Sequence, residues 1–209
     1  MPVSQVFILS PARLDGRRAK ILLSPRANFP LARSVASSSG APLGEVFSFL
    51  SGLYFRGKLS YATAFARPPH RAPPILVITT QRGLWSPNER VTHADLEAFA
   101  HVDLAKADDR FRAPLRDDAM AVDKRAGAKT QIVLLGSIAT GKYVDPLLDV
   151  FGERLVFPVD FVGRGDMSRG GLLLRAAQSG VELEYTPVAG AVRHGVRPAK
   201  LEPLKRVRR

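Results

Sequence analysis

Gly163-Arg164-Gly165-Asp166-Met167-Ser168-Arg169 is the stretch richest in groups that could hold an anion. It follows the apolar run Leu155 to Phe157 and leads into Leu172-Leu173-Leu174. Gly163 and Gly165 permit a tight turn, Asp166 is placed to cap the following helix, and the unpaired N–H groups of that helix start favour negative charge. Arg164 and Arg169 add planar forks that match phosphate or carboxylate, and Ser168 adds a hydroxyl. Ser168 stands where the dinucleotide fingerprint requires its third glycine, so that motif is not met. A glycine turn with an Asp cap and solvated arginines is the plainer reading of the same residues.

Gly136-Ser137-Ile138-Ala139-Thr140-Gly141-Lys142-Tyr143 follows another apolar run and matches the phosphate-binding P-loop except at its last position. There a Ser or Thr hydroxyl binds magnesium, and Tyr143 is too long to place its oxygen equivalently. Asp145-Pro146 reads as a cap and first helical residue, which would start the helix after the loop and not at Lys142. Ser137, Lys142 and Tyr143 are therefore expected in a polar binding loop, with an ordinary strand-to-helix turn as the alternative.

Ligands of open α/β sheets gather beyond the carboxyl ends of the strands, so two further loops could share that edge. One contains Arg13, in Ser10-Pro11-Ala12-Arg13. The other, Thr80 to Trp85, sets Arg82 beside the only tryptophan, which could stack a base or anchor the core. In Phe49 to Lys58 the apolar side chains are expected in the core, leaving Arg56 and Lys58 as site candidates. The four histidines, His70, His93, His101 and His194, lack metal-ligand spacing, and no metal or cofactor is expected. Without cysteine, thiolate chemistry and disulfides are excluded, and no Gly-x-Ser-x-Gly elbow supports acyl transfer.

Lys and Arg number 31 against 19 Asp and Glu, a net charge of +12 on 209 residues. Such a field attracts polyanions, and nucleic acid leads because phosphates reward many distributed cationic contacts. A membrane partner is not expected, for want of a basic amphipathic helix with a broad apolar face. Met1 to Ser10 lacks the form of a secretory signal and no apolar run spans a bilayer, so a cytoplasmic location is expected.

Short runs rich in Val, Ile and Leu alternate with helical segments, the pattern of an α/β fold with one mixed sheet covered by helices. Strands are expected at Gln5 to Leu9, Ala19 to Leu23, Ile75 to Thr79, Gln131 to Leu135, Leu155 to Phe157 and Glu182 to Tyr185. Helices are expected at Pro30 to Ser37, Tyr54 to Ala66, His93 to Ala100, Pro146 to Phe151 and Met167 to Gln178. Four prolines make Arg67 to Pro74 an extended connection. The charged Ala105 to Gly127 reads as a surface excursion or irregular helical insertion. Residues 1–192 are expected to form one domain, and 193–209 a basic tail.

The strand-end signatures, taken in order, resemble the YaaA-type peroxide-stress family and related bacterial proteins. They are Leu9-Ser10-Pro11-Ala12-Arg13, Leu50-Ser51-Gly52-Leu53-Tyr54, Arg82-Gly83-Leu84-Trp85-Ser86-Pro87, Leu134-Leu135-Gly136-Ser137 with Lys142-Tyr143, and Gly163 to Arg169. The chain differs in carrying Arg13 where the family pattern has lysine and Asp166 within the last signature. The resemblance implies a mixed α/β DNA-binding fold and a role in limiting oxidative DNA damage. Together with charge, it leads to the expectation of a nucleic-acid-binding protein, DNA first, with a polar pocket for a phosphate or a flipped base. The alternative is an enzyme acting on a nucleotide or base, N-glycosidase-like, with Asp160 or Asp166 positioning water. A P-loop-like nucleotide-binding protein comes last.

Overall fold

Four runs with no polar face become parallel strands covered on both sides, which is why they read as continuous apolar stretches. These are β1 (Gln5–Leu9), β3 (Ile75–Ile78), β6 (Gln131–Leu135) and β7 (Leu155–Pro158), almost wholly buried. The computed structural model describes residues 3–101, 109–139, 141–192, 195–199 and 201. Between β1 and β3 lie α1 (Arg17–Leu22), α2 (Pro30–Ala36), β2 (Ala41–Pro42), α3 (Leu43–Ser51) and α4 (Leu53–Phe65). Then come β4 (Leu84–Trp85), β5 (Arg90–Val91), α5 (His93–Ala100) and α6 (Asp109–Ala126). Past β6 the chain forms α7 (Gly141–Phe151), and past β7 a 3-10 turn (Val159–Phe161), α8 (Asp166–Ser179) and β8 (Tyr185–Pro187).

The six-stranded sheet has the order β4-β3-β1-β6-β7-β8, an α/β fold with a mixed sheet flanked by helices. β3, β1, β6 and β7 are mutually parallel, while β4 and β8 close the two edges antiparallel. β2 and β5 form a separate two-stranded ribbon. In chain order the parallel strands run 2-1-3-4, so the winding reverses between β1 and β6, the switch point at which open α/β sheets form their ligand crevice beyond the carboxyl ends of the strands.

Helices α4 and α8 cross at two glycines. A Cβ on Gly57 would lie 2.6 Å from the Gly170 carbonyl oxygen, and one on Gly170 would lie 2.8 Å from both the Leu53 oxygen and the Tyr54 Cα. Only hydrogen fits at this contact, and the crossing sets Tyr54 and Lys58 of α4 against Asp166 and Arg169 of α8.

Several expected elements differ. Ala19 to Leu23 is helical, not extended, because Ala19 and Leu22 are the buried pair at helical spacing while Arg17, Arg18 and Lys20 face solvent. Pro146 sits inside α7, which begins at Gly141, so the strand–loop–helix order of a P-loop is present and Tyr143 is the remaining departure from the motif. Asp166 does not cap α8: Gly165 holds the cap position without a side-chain bond, and Asp166 is the first helical residue. The last strand begins at Tyr185, since Glu182 turns aside to receive both Arg67 Nη2 bonds, at 2.8 and 3.1 Å. Of the segment Ala105 to Gly127, residues 105–108 lie outside the described ones, and from Asp109 the chain forms the 18-residue α6, with Pro114 inside it and Phe111, Leu115, Ala119, Val122 and Ala126 buried along one stripe. Asp118 accepts the Leu84 N–H at 2.8 Å and ties that helix to β4.

Among the expected tail residues, 195–199 and 201 are described, and several lie against the fold. Val196 carbonyl occupies the space beside Gly163, and Ala199 carbonyl accepts from Arg164 Nη1 at 3.4 Å. The remaining tail residues lie outside the described ones. No helix among the described residues is long and apolar enough to cross a membrane.

Candidate functional site

The end of β1 places Ser10 at the β1/β6 switch point, its N–H bonded to the Leu135 carbonyl at 3.1 Å. Behind it, Lys58 projects from the sheet-facing side of α4 and is only 1 % exposed. Its Nζ donates to the Ser10 carbonyl at 2.6 Å and to Ser10 Oγ at 2.9 Å. The faces of Tyr54 and Phe55 flank the nitrogen at 4.5 and 4.9 Å from their ring centres. No carboxylate stands within ion-pair distance of Lys58 among the described residues. Burial lowers its pKa to about 7, with Arg169 pushing the same way and Asp166 opposing.

Tyr143, in the first turn of α7, closes the other side. Its hydroxyl donates to the Ser137 carbonyl at 2.9 Å and also interacts with Ser10, while burial raises its pKa. Gly136 makes this possible: a Cβ there would lie 2.8 Å from that of Ser10 and 3.1 Å from the Tyr143 oxygen. The hydroxyl of Tyr54 is buried and has no hydrogen-bond partner among the described residues. The Arg169 charge is near enough to favour its phenolate, yet no donor is aligned on it, and burial dominates by raising its pKa. Such an unmatched buried hydroxyl costs stability and calls for an explanation at a site.

Arg169 is committed elsewhere. Its Nε and Nη2 grip the Phe161 carbonyl at 3.1 and 2.9 Å, its plane lies over the Phe161 ring, and Asp166 stands 3.8 Å from Nη1. It is thus a fixed charge beside the cluster, while Asp166, 71 % exposed at its side chain, lies at the outer edge. Asp166 also acts on Arg13, which is exposed and paired with Asp15 at 2.6 Å.

The structure thus draws together Arg13, Lys58, Ser137, Tyr143, Asp166 and Arg169 at the crevice. Lys142 is half-buried in the same helical turn as Tyr143. Arg164 and Ser168 lie one step away, bonded to each other at 3.3 Å, and Arg164 Nε has no partner among the described residues. Arg56 is exposed on the opposite face of α4 from Lys58, where it borders a shallow hollow of about 300 Å³ with Ser48, Leu59, Ser60 and Leu174. Arg82 is paired with Asp95 at 3.1 Å and its guanidinium covers the Trp85 ring at 5.2 Å. Trp85 also meets Phe99 edge-on, so this pair is tied to α5 rather than to the crevice. Asp160 is exposed on the 3-10 turn. The described residues hold no cluster of three or more metal-ligating side chains.

Two features escaped the sequence reading. Ser10 and Tyr54 gained their roles only through contacts with distant Lys58 and Arg169. The basic face of α1 was hidden by reading its apolar residues as a strand: Arg13, Arg17, Arg18 and Lys20 are all exposed immediately after Ser10, with Asp15 the one acid among them.

Fold and site together define an α/β protein with a lysine–serine cluster at the point where its sheet reverses winding. No family model, curated protein or solved structure matches the chain.

Proposed function

We propose that this chain is a nucleic-acid-binding protein, acting on DNA first, which lays the phosphate backbone across the segment leaving β1 and seats a phosphate or an extruded base over the Ser10 crevice. The observation that supports this most is the run of exposed Arg13, Arg17, Arg18 and Lys20 beside a cluster whose lysine has no carboxylate partner among the described residues. Cations arranged along an edge suit a backbone, which carries a charge every few ångströms, better than a small anion. The resemblance of the strand-end signatures to the peroxide-stress family supports the same reading and adds a role in protecting DNA from oxidative damage. Titration of duplex and single-stranded oligonucleotides at low and moderate salt tests it. Binding without strong sequence preference, weakening steeply as salt rises, is expected; absence of binding at low salt removes the proposal.

A second reading, an enzyme acting on a nucleotide or base, is favoured by the depressed pKa of Lys58, since such groups concentrate where proton transfer is needed. Of the two carboxylates considered, Asp166 is the one whose charge reaches the cluster, acting on Lys58, Tyr54 and Tyr143.

A further inference from the structure

We propose that Ser10 and Lys58 form a nucleophile–base pair for attack on a phosphate ester, the crevice being a reaction site and not only a binding site. This rests on the nucleic-acid reading for its substrate class, but its geometry stands alone. The Ser10 hydroxyl is 2.9 Å from Lys58 Nζ, within reach for direct proton transfer, and the nitrogen is held in place by the Ser10 carbonyl and two aromatic faces. Both residues are buried, Ser10 keeping 6 % exposure and Lys58 1 %, so the pair is shielded from bulk water.

A merely structural role accounts poorly for the lysine. Satisfying one strand-end carbonyl needs a single neutral donor, whereas a buried amine without a carboxylate carries a large desolvation cost. A neutral amine, in contrast, is a competent base. The titratable and charged groups facing it are Tyr54 from its own helix, Asp166 and Arg169 from α8, and Tyr143 of α7 across Ser10. β1 contributes only the neutral serine. Burial, with Arg169 adding to it and Asp166 opposing, lowers the Lys58 pKa to about 7.

In the step, the Ser10 proton passes to Lys58 Nζ as the Oγ–P bond forms and the ester P–O bond breaks. The ammonium then returns the proton to the departing oxygen, and water later cleaves the phosphoserine. Arg169 and the cations after Ser10 favour the negatively charged phosphoryl group over a neutral acyl group.

The test uses a small alkyl fluorophosphonate, which transfers its phosphonyl group to an activated serine with loss of fluoride, on the whole chain. Intact mass and peptide mapping should show one adduct, on Ser10. Its rate should fall about tenfold between pH 8.5 and pH 6, following the neutral fraction of an amine of pKa about 7. Ser10→Ala should take no adduct, and a folded Lys58→Met should react at least about tenfold more slowly at pH 8.5. No adduct on Ser10, a rate independent of pH in the native chain, or an unchanged rate in folded Lys58→Met overturns the pair. The native chain's pH profile decides even where that variant does not fold. Because the probe contains no nucleic acid, its failure leaves oligonucleotide binding untouched, and loss of oligonucleotide binding leaves the labelling result standing.

Discussion

Replacing Lys58 by methionine should change the pH dependence of stability in a window where few other groups titrate. In the unfolded chain the amine has its ordinary pKa of 10.5, while in the fold it is held near 7. Between these values the unfolded chain binds the extra proton, so native stability rises with pH and the contribution is lost as pH falls toward 7. One pKa unit corresponds to about 1.4 kcal/mol, so the native protein should gain about 2 to 3 kcal/mol on Lys58→Met between about pH 7.5 and pH 9.5. The variant also loses the two bonds to Ser10, but the loss of hydrogen bonds donated by a neutral amine is a constant offset across this window. The buried tyrosines, with raised pKa values, oppose stability only at more alkaline pH, where the unfolded chain ionises first. Urea unfolding of both proteins at three pH values across the window gives the comparison. Parallel stability curves, differing by less than about 0.5 kcal/mol over the range, would refute a depressed lysine in the crevice.

Gly170→Ala should destabilise the fold by about 2 kcal/mol or more, because its methyl would meet the backbone of α4 and not a flexible side chain; thermal or urea unfolding reads it. Asp166→Asn should move the pH midpoint of Ser10 labelling downward, since this carboxylate favours the protonated lysine, and a midpoint that stays or rises would show that its charge does not reach Lys58. Arg56→Ala should leave oligonucleotide affinity within about twofold of the native value, as the side chain lies across α4 from the crevice, and a larger loss would place the interface on the wrong face.

The sheet was legible because its parallel strands are covered on both faces: Val6 to Leu9, Ile75 to Ile78 and Ile132 to Leu135 have no polar side to confuse the pattern. Ala19 to Leu23 misled for the same reason, since a short apolar run does not distinguish a strand from one side of a small helix. In α6 the buried positions are diluted by so many charges that the stripe from Phe111 to Ala126 vanishes from a reading by composition, although its spacing of three and four is regular. Asp145-Pro146 carried a strong start signal, yet α7 already runs from Gly141 and accommodates the proline inside it. Of the candidate cluster, the loops after β1, β6 and β7 stood out in the sequence because strand ends and glycines mark them. It did not pair Ser10 with Lys58, whose 48-residue separation is closed only by α4 folding back on β1.

The proposed interface is tested most directly by the salt dependence of oligonucleotide binding in the native chain and in the double variant Arg17→Gln, Lys20→Gln. Both residues are exposed on α1, so the substitutions should leave the fold intact. If each contacts a phosphate, the slope of log affinity against log salt should become shallower by about 1.8 on duplex, with weaker binding at low salt. Native affinity and an unchanged slope in the folded double variant would contradict the placement of the backbone along this face.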